Sequence, residues 1–326
     1  MSSAPIADLS YRNYDGALDS PNKLWWVIAR QVFRANLKKK SLWFMTLLAG
    51  GYYIVMMAIF FFTERMAQST APMMAGANAP PINPLQQLMD RIVWKDQFVH
   101  GISMGQMWFL IMTLVVGVGT IANDNRANAL LVYLSKPCNK KDYLLGKWMG
   151  VFLTLLIGMS IPSIFFYAYG LLSYRDYGFF TGDKLLFFKL LFLLIVNAAF
   201  YASLAIGISS LFNQGRLAGA TMAAVYFLSN FFTQAMSGAW IAFQDDNNAV
   251  AKGIVSKLFY GSVDGLNIGL AKSTFATSGS PPFGIPDRME MVPAPPFLAV
   301  MAIIIVVSFL SMLIAWKRVR AVEVVG

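Results

Sequence analysis

Charged residues are scarce in this chain, and so are cysteine and histidine. Only 13% of the 326 residues are Asp, Glu, Lys or Arg, against about 25% in an ordinary soluble domain. With 57% hydrophobic residues and a mean hydropathy of +0.56, a soluble fold is excluded and a polytopic membrane protein is expected. The one cysteine, Cys138, rules out an internal disulfide, and the one histidine, His100, leaves no Cys/His cluster with metal-ligand spacing. No metal site is expected. No phosphate-binding loop of the form GxxxxGK[ST] occurs: Trp148 follows the Gly146-Lys147 pair, and no glycine stands at the required offset. The apolar runs contain neither a nucleophile with its base nor a His/Glu metal pair, so intramembrane hydrolysis lacks its residues. They also contain almost no ionisable groups, which disfavours an ion-coupled secondary carrier. Lys189 lies near the end of a run, where it can snorkel, and Lys147 and Arg216 lie at edges. The N-terminus has no basic region followed by an apolar one, so no cleaved signal peptide is expected.

What is present is a set of apolar runs long enough to span a bilayer, at about 42–62, 101–122, 148–172, 185–212, 217–243 and 297–316. The expected fold is all-α, with six transmembrane helices in one domain over 41–326 and external segments at 63–100 and 244–296. Residues 1–20 are polar and aperiodic and read as a mobile cytoplasmic tail. Over 21–40, Trp25, Trp26, Ala29, Val32, Phe33 and Leu37 fall on one side of a helix, while Arg30, Arg34 and Lys38 step along another. That pattern suits a helix lying on the membrane surface, or a basic flank that fixes orientation.

Charge supports a topology with both termini inside. The cytoplasmic segments then hold sixteen basic residues against six acidic ones, and the far side holds ten of each. The formal net charge of +10 therefore reads as membrane orientation, and no nucleic-acid partner is expected. In the external segment 63–100, Pro72, Pro80, Pro81 and Pro84 argue against regular structure, and an amphipathic patch from Leu85 to Val93 reads as a short helix. In 244–296, Val250, Ile254, Leu258 and Phe259 recur at helical spacing, and part of the segment is expected to dip back into the membrane surface. Asn197, Asn230 and Gln234 are polar positions within spans, suited to helix packing or to a substrate path. Gly117 with Gly119, and Ala199 with Ser203, are small pairs that let helices approach closely.

The most informative stretch is the polar break between the second and third spans. Asp124 stands where a helix N-terminus would favour an acid, and Ala127, Leu130, Leu131 and Leu134 follow at helical spacing. Pro137 ends that helix, and Asn139 with Asp142 reads as a capping box that starts the next. Arg126, Lys136, Lys140, Lys141 and Lys147 place the break in the cytoplasm. With no motor of its own, a chain doing uphill work needs another subunit to hydrolyse ATP.

This stretch resembles the ABC type-2 (ABC-2) transporter permeases, whose corresponding segment reads like Glu-x-x-x-Gly-Thr-Leu, then Leu-Leu-Ser-x-Pro, a basic residue and Leu-Gly-Lys. Here Asp124, Leu130, Leu134-Ser135-x-Pro137, Lys140 and Leu145-Gly146-Lys147 stand at those positions, while Asn128 and Ala129 replace the Gly-Thr pair. The resemblance implies a membrane subunit that dimerises, most simply as a homodimer, and sits on two ATP-binding-cassette subunits. The helix 124–134 would be the coupling helix docked in the ATPase, with Mg-ATP held by that partner and no cofactor in this chain. It implies an exporter in a bacterial cytoplasmic membrane, in contact with lipid. A non-transporting ABC-linked protein that remodels an envelope partner, and a secondary carrier, are the alternatives.

Overall fold

The computed structural model of the chain describes residues 24–74, 92–129, 138–243, 249–280 and 291–319. Among the described residues there is no β-strand, and the regular elements are helices. The first, α1 (Leu24–Leu37), is followed by α2 (Lys40–Ala49) and α3 (Gly51–Met74). Next come α4 (Trp94–Val116), α5 (Gly119–Arg126) and the long α6 (Lys140–Ser173). A 3-10 turn at Arg175–Tyr177 leads to α7 (Leu186–Ser209) and α8 (Gly215–Ala242). The chain closes with α9 (Ala249–Leu258), α10 (Val263–Phe275) and α11 (Phe297–Arg318).

Among the described residues, four stretches are long and apolar enough to cross a membrane: Trp94–Arg126, Lys140–Ser173, Leu186–Ser209 and Phe297–Arg318. A fifth arises if α2 and the first part of α3, which meet at 50°, form one broken span. Gly50 at the bend lets α6 come close: a Cβ there would lie 2.7 Å from the Cβ of Pro162. The first expected span is thus two helices, and the second of them runs beyond Phe62, through Pro72, to Met74. The expected fifth span corresponds to α8, 28 residues long, but it is not among the apolar set because Thr221, Ser229, Asn230, Thr233, Gln234 and Ser237 dilute its hydrophobic side chains. Residues 1–23 and most of the amphipathic patch from Leu85 lie outside the described residues.

Close backbone approaches hold the bundle together. In α6, a Cβ at Gly150 would sit 2.6 Å from Val32 Cβ and 2.8 Å from the Ala29 carbonyl, so α1 lies directly on α6. A Cβ at Gly117 would meet Ala205 at 2.8 Å, and one at Gly207 would meet Ser311 at 2.8 Å, which seats α4 and α11 on α7. Ser203 accepts a 3.0 Å hydrogen bond from Trp148 Nε1. At the end of the bundle away from the polar break, Trp94, Phe98, Phe166 and Phe179 form a buried aromatic core, with Trp94 and Phe179 edge to face at 4.9 Å. Aromatic pairs in that geometry contribute about 1 kcal/mol each beyond their burial.

Between α8 and α11 the chain re-enters the bundle. Ser262 caps α10 by accepting a 2.8 Å hydrogen bond from Gly265 N. Gly265 is required there, because a Cβ would lie 2.5 Å from the Phe259 carbonyl. From this turn α10 runs among α4, α7, α8 and α11, with Asp264, Asn267, Leu270, Ala271 and Phe275 buried. The expected helical spacing at Val250 to Leu258 is α9.

Candidate functional site

The polar break is built from the C-terminal end of the second span. After Val116 the helix is interrupted at Gly117 and Val118, whose amides both reach the Thr113 carbonyl, at 2.8 and 3.3 Å. It resumes as α5, whose first-turn amides have lost their helical acceptors. Ser209 at the end of α7 supplies one: its Oγ accepts from both Ile121 N and Ala122 N at 3.0 Å. Asn125 Nδ2 donates to the Phe212 carbonyl at 3.2 Å. α5 is therefore pinned to the α7–α8 hairpin.

Asp124 does not start a helix, contrary to the expectation from its spacing; it lies in the last turn of α5, which ends at Arg126. The helix stops because Asn128 takes a left-handed conformation, φ 51°, which asparagine tolerates better than most residues. At a helix C-terminus the macrodipole disfavours an acid, and the carboxylate is held by α6 instead. Lys147 Nζ lies 2.7 Å from Asp124 Oδ2, and the Tyr143 hydroxyl donates to the same oxygen at 2.7 Å. Lys147 also reaches the Thr120 carbonyl at 3.4 Å.

Helical conformation returns at Ala129, and Leu130, Leu131, Leu134 and Pro137 lie outside the described residues. Arg126, Ala127 and Lys141 are exposed around the break, and Lys140 places its ammonium 4.7 Å from the Trp316 ring centre. Asn139 does occupy the N-cap of α6, with Asp142 in the first turn, but its side chain makes no capping hydrogen bond.

Beside the break, a cavity of about 530 Å³ opens between α1, α4, α5, α6 and α8. Its rim carries Lys39, Lys147, Arg216 and Asp124. Lys39 Nζ donates to the Val115 carbonyl at 2.8 Å and Asn36 Nδ2 to Val116 at 3.3 Å, which satisfies carbonyls freed at the helix interruption. On α1, Arg30 and Arg34 face away from the bundle, as does Lys38 just after it; Trp26 is exposed, and Trp25 and Phe33 are half-buried.

A second polar group lies at mid-bundle. Asp264 Oδ2 accepts from the Tyr226 hydroxyl at 2.8 Å and also from Asn230 Nδ2. One turn on, Asn267 Nδ2 donates to Gln106 Oε1 at 3.1 Å, and the same oxygen accepts from the Tyr201 hydroxyl at 2.7 Å. Sequence reasoning singled out Asn230 but missed Asp264, Asn267, Gln106 and Tyr201. The available signal was Gln106, a lone amide in the middle of an apolar run. Asn197 is buried one turn before Tyr201, whereas Gln234 is exposed and takes no part.

At the end away from the break, Asp96 accepts from the Thr277 hydroxyl and from Ser280 N, and His100 Nε2 contacts the Ser280 carbonyl at 2.7 Å. Lys189 does not stand alone as a snorkelling cation: Asp183 Oδ2 lies 2.6 Å from it and 3.2 Å from Lys95. Among the described residues, no group of three or more His, Cys, Asp or Glu could hold a metal ion.

Long apolar helices packed side by side, with a basic polar break at one end, define an integral membrane protein. The profile of the family described as ABC-2 family transporter protein matches residues 26–264, most of the chain, and the chain belongs to that family. It is thus a permease-type membrane subunit of an ABC transporter. No curated protein matches the chain.

Proposed function

We propose that this chain is the membrane subunit of an ABC exporter, working as a homodimer on two ATPase subunits that hydrolyse ATP for it. In this reading α2 with α3, α4 with α5, α6, α7, α8 and α11 make six spans. Both termini lie in the cytoplasm of a bacterial inner membrane. The residues from Ala127 to Leu134 dock in the ATPase, with Lys140 and Lys141 flanking the contact.

The observation that carries the reading is how α5 is anchored. The ion pair of Asp124 with Lys147 ties it to α6, and Ser209 and Phe212 tie it to α7 and the following hairpin. Force applied at the break therefore reaches several spans at once. A connecting loop without a mechanical role needs none of these contacts. Family membership and the basic cytoplasmic ends add support.

Co-reconstitution with the partner ATPase tests this. Cargo added to such proteoliposomes should stimulate ATP hydrolysis, and the pair Leu130→Asp and Leu131→Asp should abolish the stimulation while leaving basal hydrolysis by the ATPase. Stimulation that survives both substitutions would remove the assignment of the break as the coupling element.

A further inference from the structure

The re-entrant helix brings an acid into the middle of the bundle with no basic partner among the described residues. Asp264 sits opposite Tyr226 and Asn230, near the midpoint of α8, and is 5% exposed. Both side chains that contact it are neutral donors, and both reach Oδ2. Its other oxygen, Oδ1, is buried and has no partner among the described residues.

The charged and titratable groups around it do not supply a counter-charge. α8 presents Tyr226 and α7 presents Tyr201, both phenols; α4 presents the neutral Gln106, and its Asp96 is engaged with Thr277 and Ser280 beyond the other end of α10. The buried face of α11 carries Val300 and Ile304. Lys272 is eight residues along α10, about 12 Å along its axis, and donates to the Val292 carbonyl. The N-terminus of α10 offers only about half a unit charge. A buried carboxylate in these surroundings carries a large desolvation cost unless it is neutralised.

We propose that Asp264 and the amide oxygen of Asn267 form a binding site for a small monovalent cation, a proton or a sodium ion, inside the bundle. Asn267 Oδ1, one turn along the same face, is likewise buried without a partner, as is Asn197 Oδ1 on α7. Two unsatisfied acceptor oxygens one turn apart on α10 suit a cation: a proton on Asp264 becomes a donor, and a sodium ion takes oxygen ligands directly.

Thermal unfolding of the full chain in lipid nanodiscs tests it, in choline chloride and in sodium chloride, from about pH 5 to about pH 8. A carboxyl that binds a proton more tightly when folded loses stability as pH rises. The wild type in choline chloride should therefore melt several degrees lower at the upper pH, and Asp264→Asn should lose that dependence. If sodium restores the wild type but not the variant at the upper pH, the ion is sodium; if it does not, the ion is a proton. An Asp264→Asn protein with the wild-type response to both pH and sodium would overturn the site. Should that variant fail to fold, Tyr226→Phe removes a donor that favours the carboxylate and should move the pH midpoint up by about 0.5–1 unit. An unmoved midpoint would overturn the proposal equally.

Discussion

Replacing Lys147 by Met removes the ammonium 2.7 Å from Asp124 Oδ2. The attraction lost is roughly 6 kcal/mol at an effective dielectric constant of about 20. Most of that is offset, because bringing two ions out of water costs several kcal/mol each. The Lys147 side chain is 9% exposed and that of Asp124 is 19% exposed, so the pair is neither solvated nor fully dry, and a net coupling of about 1–3 kcal/mol is expected. Lys147→Met alone leaves Asp124 with the Tyr143 hydroxyl and partial solvent, and should cost about 2 kcal/mol. Asp124→Asn keeps an acceptor for Tyr143 but takes the carboxylate from a nearly buried ammonium, and should cost about 3 kcal/mol. The double variant should fall short of the sum by at least about 1 kcal/mol. Equilibrium unfolding of the four proteins in detergent measures this cycle. Additivity within about 0.5 kcal/mol would refute the view that the pair braces α5 against α6.

Two further outcomes follow from the packing and the charges. Gly150→Leu places side-chain atoms where Val32 and the Ala29 carbonyl already lie, and should destabilise the protein by about 1–3 kcal/mol; equilibrium unfolding in detergent measures this, and unchanged stability would count against the close α1–α6 contact. Burial lowers the Lys272 ammonium to about 8, against a smaller opposing pull from Asp96. Its pKa is therefore lower folded than unfolded, so stability should rise as pH climbs from about 8 towards the unfolded value. Lys272→Met should flatten that rise in a melting-temperature series, and an unchanged slope would count against it.

Hydropathy and charge made the membrane character legible, and the Leu-Ser-x-Pro and Leu-Gly-Lys residues made the family legible. Both depend on side-chain chemistry that repeats over a long stretch or stands at fixed offsets. What the sequence hid depends on contacts between distant segments. Asp124 reads as a helix start from its neighbours alone, yet Asn128 ends the helix just after it, and the acid is held by Lys147 and Tyr143 of the next span. The break at Gly50 packs closely against Pro162, more than a hundred residues away in sequence. Asp264 counts as one more acid of an external segment until α10 is seen to insert beside α8. Its partners Tyr226 and Asn230 on α8, and the Gln106 and Tyr201 that join Asn267 from α4 and α7, come from three helices that no local periodicity connects.

The central claim is that the residues after Asp124 receive work from an ATPase, and site-directed cross-linking tests it most directly. Cys138 is first replaced by Ser, and single cysteines are then placed at Ala127, at Leu131 and, as a control at the opposite end of the bundle, at Lys257. The cysteines at Ala127 and Leu131 should cross-link to the partner ATPase, with yields that change between the ATP-bound and nucleotide-free states, while the one at Lys257 should not. Cross-linking at Lys257 without any at Ala127 or Leu131 would contradict the central claim.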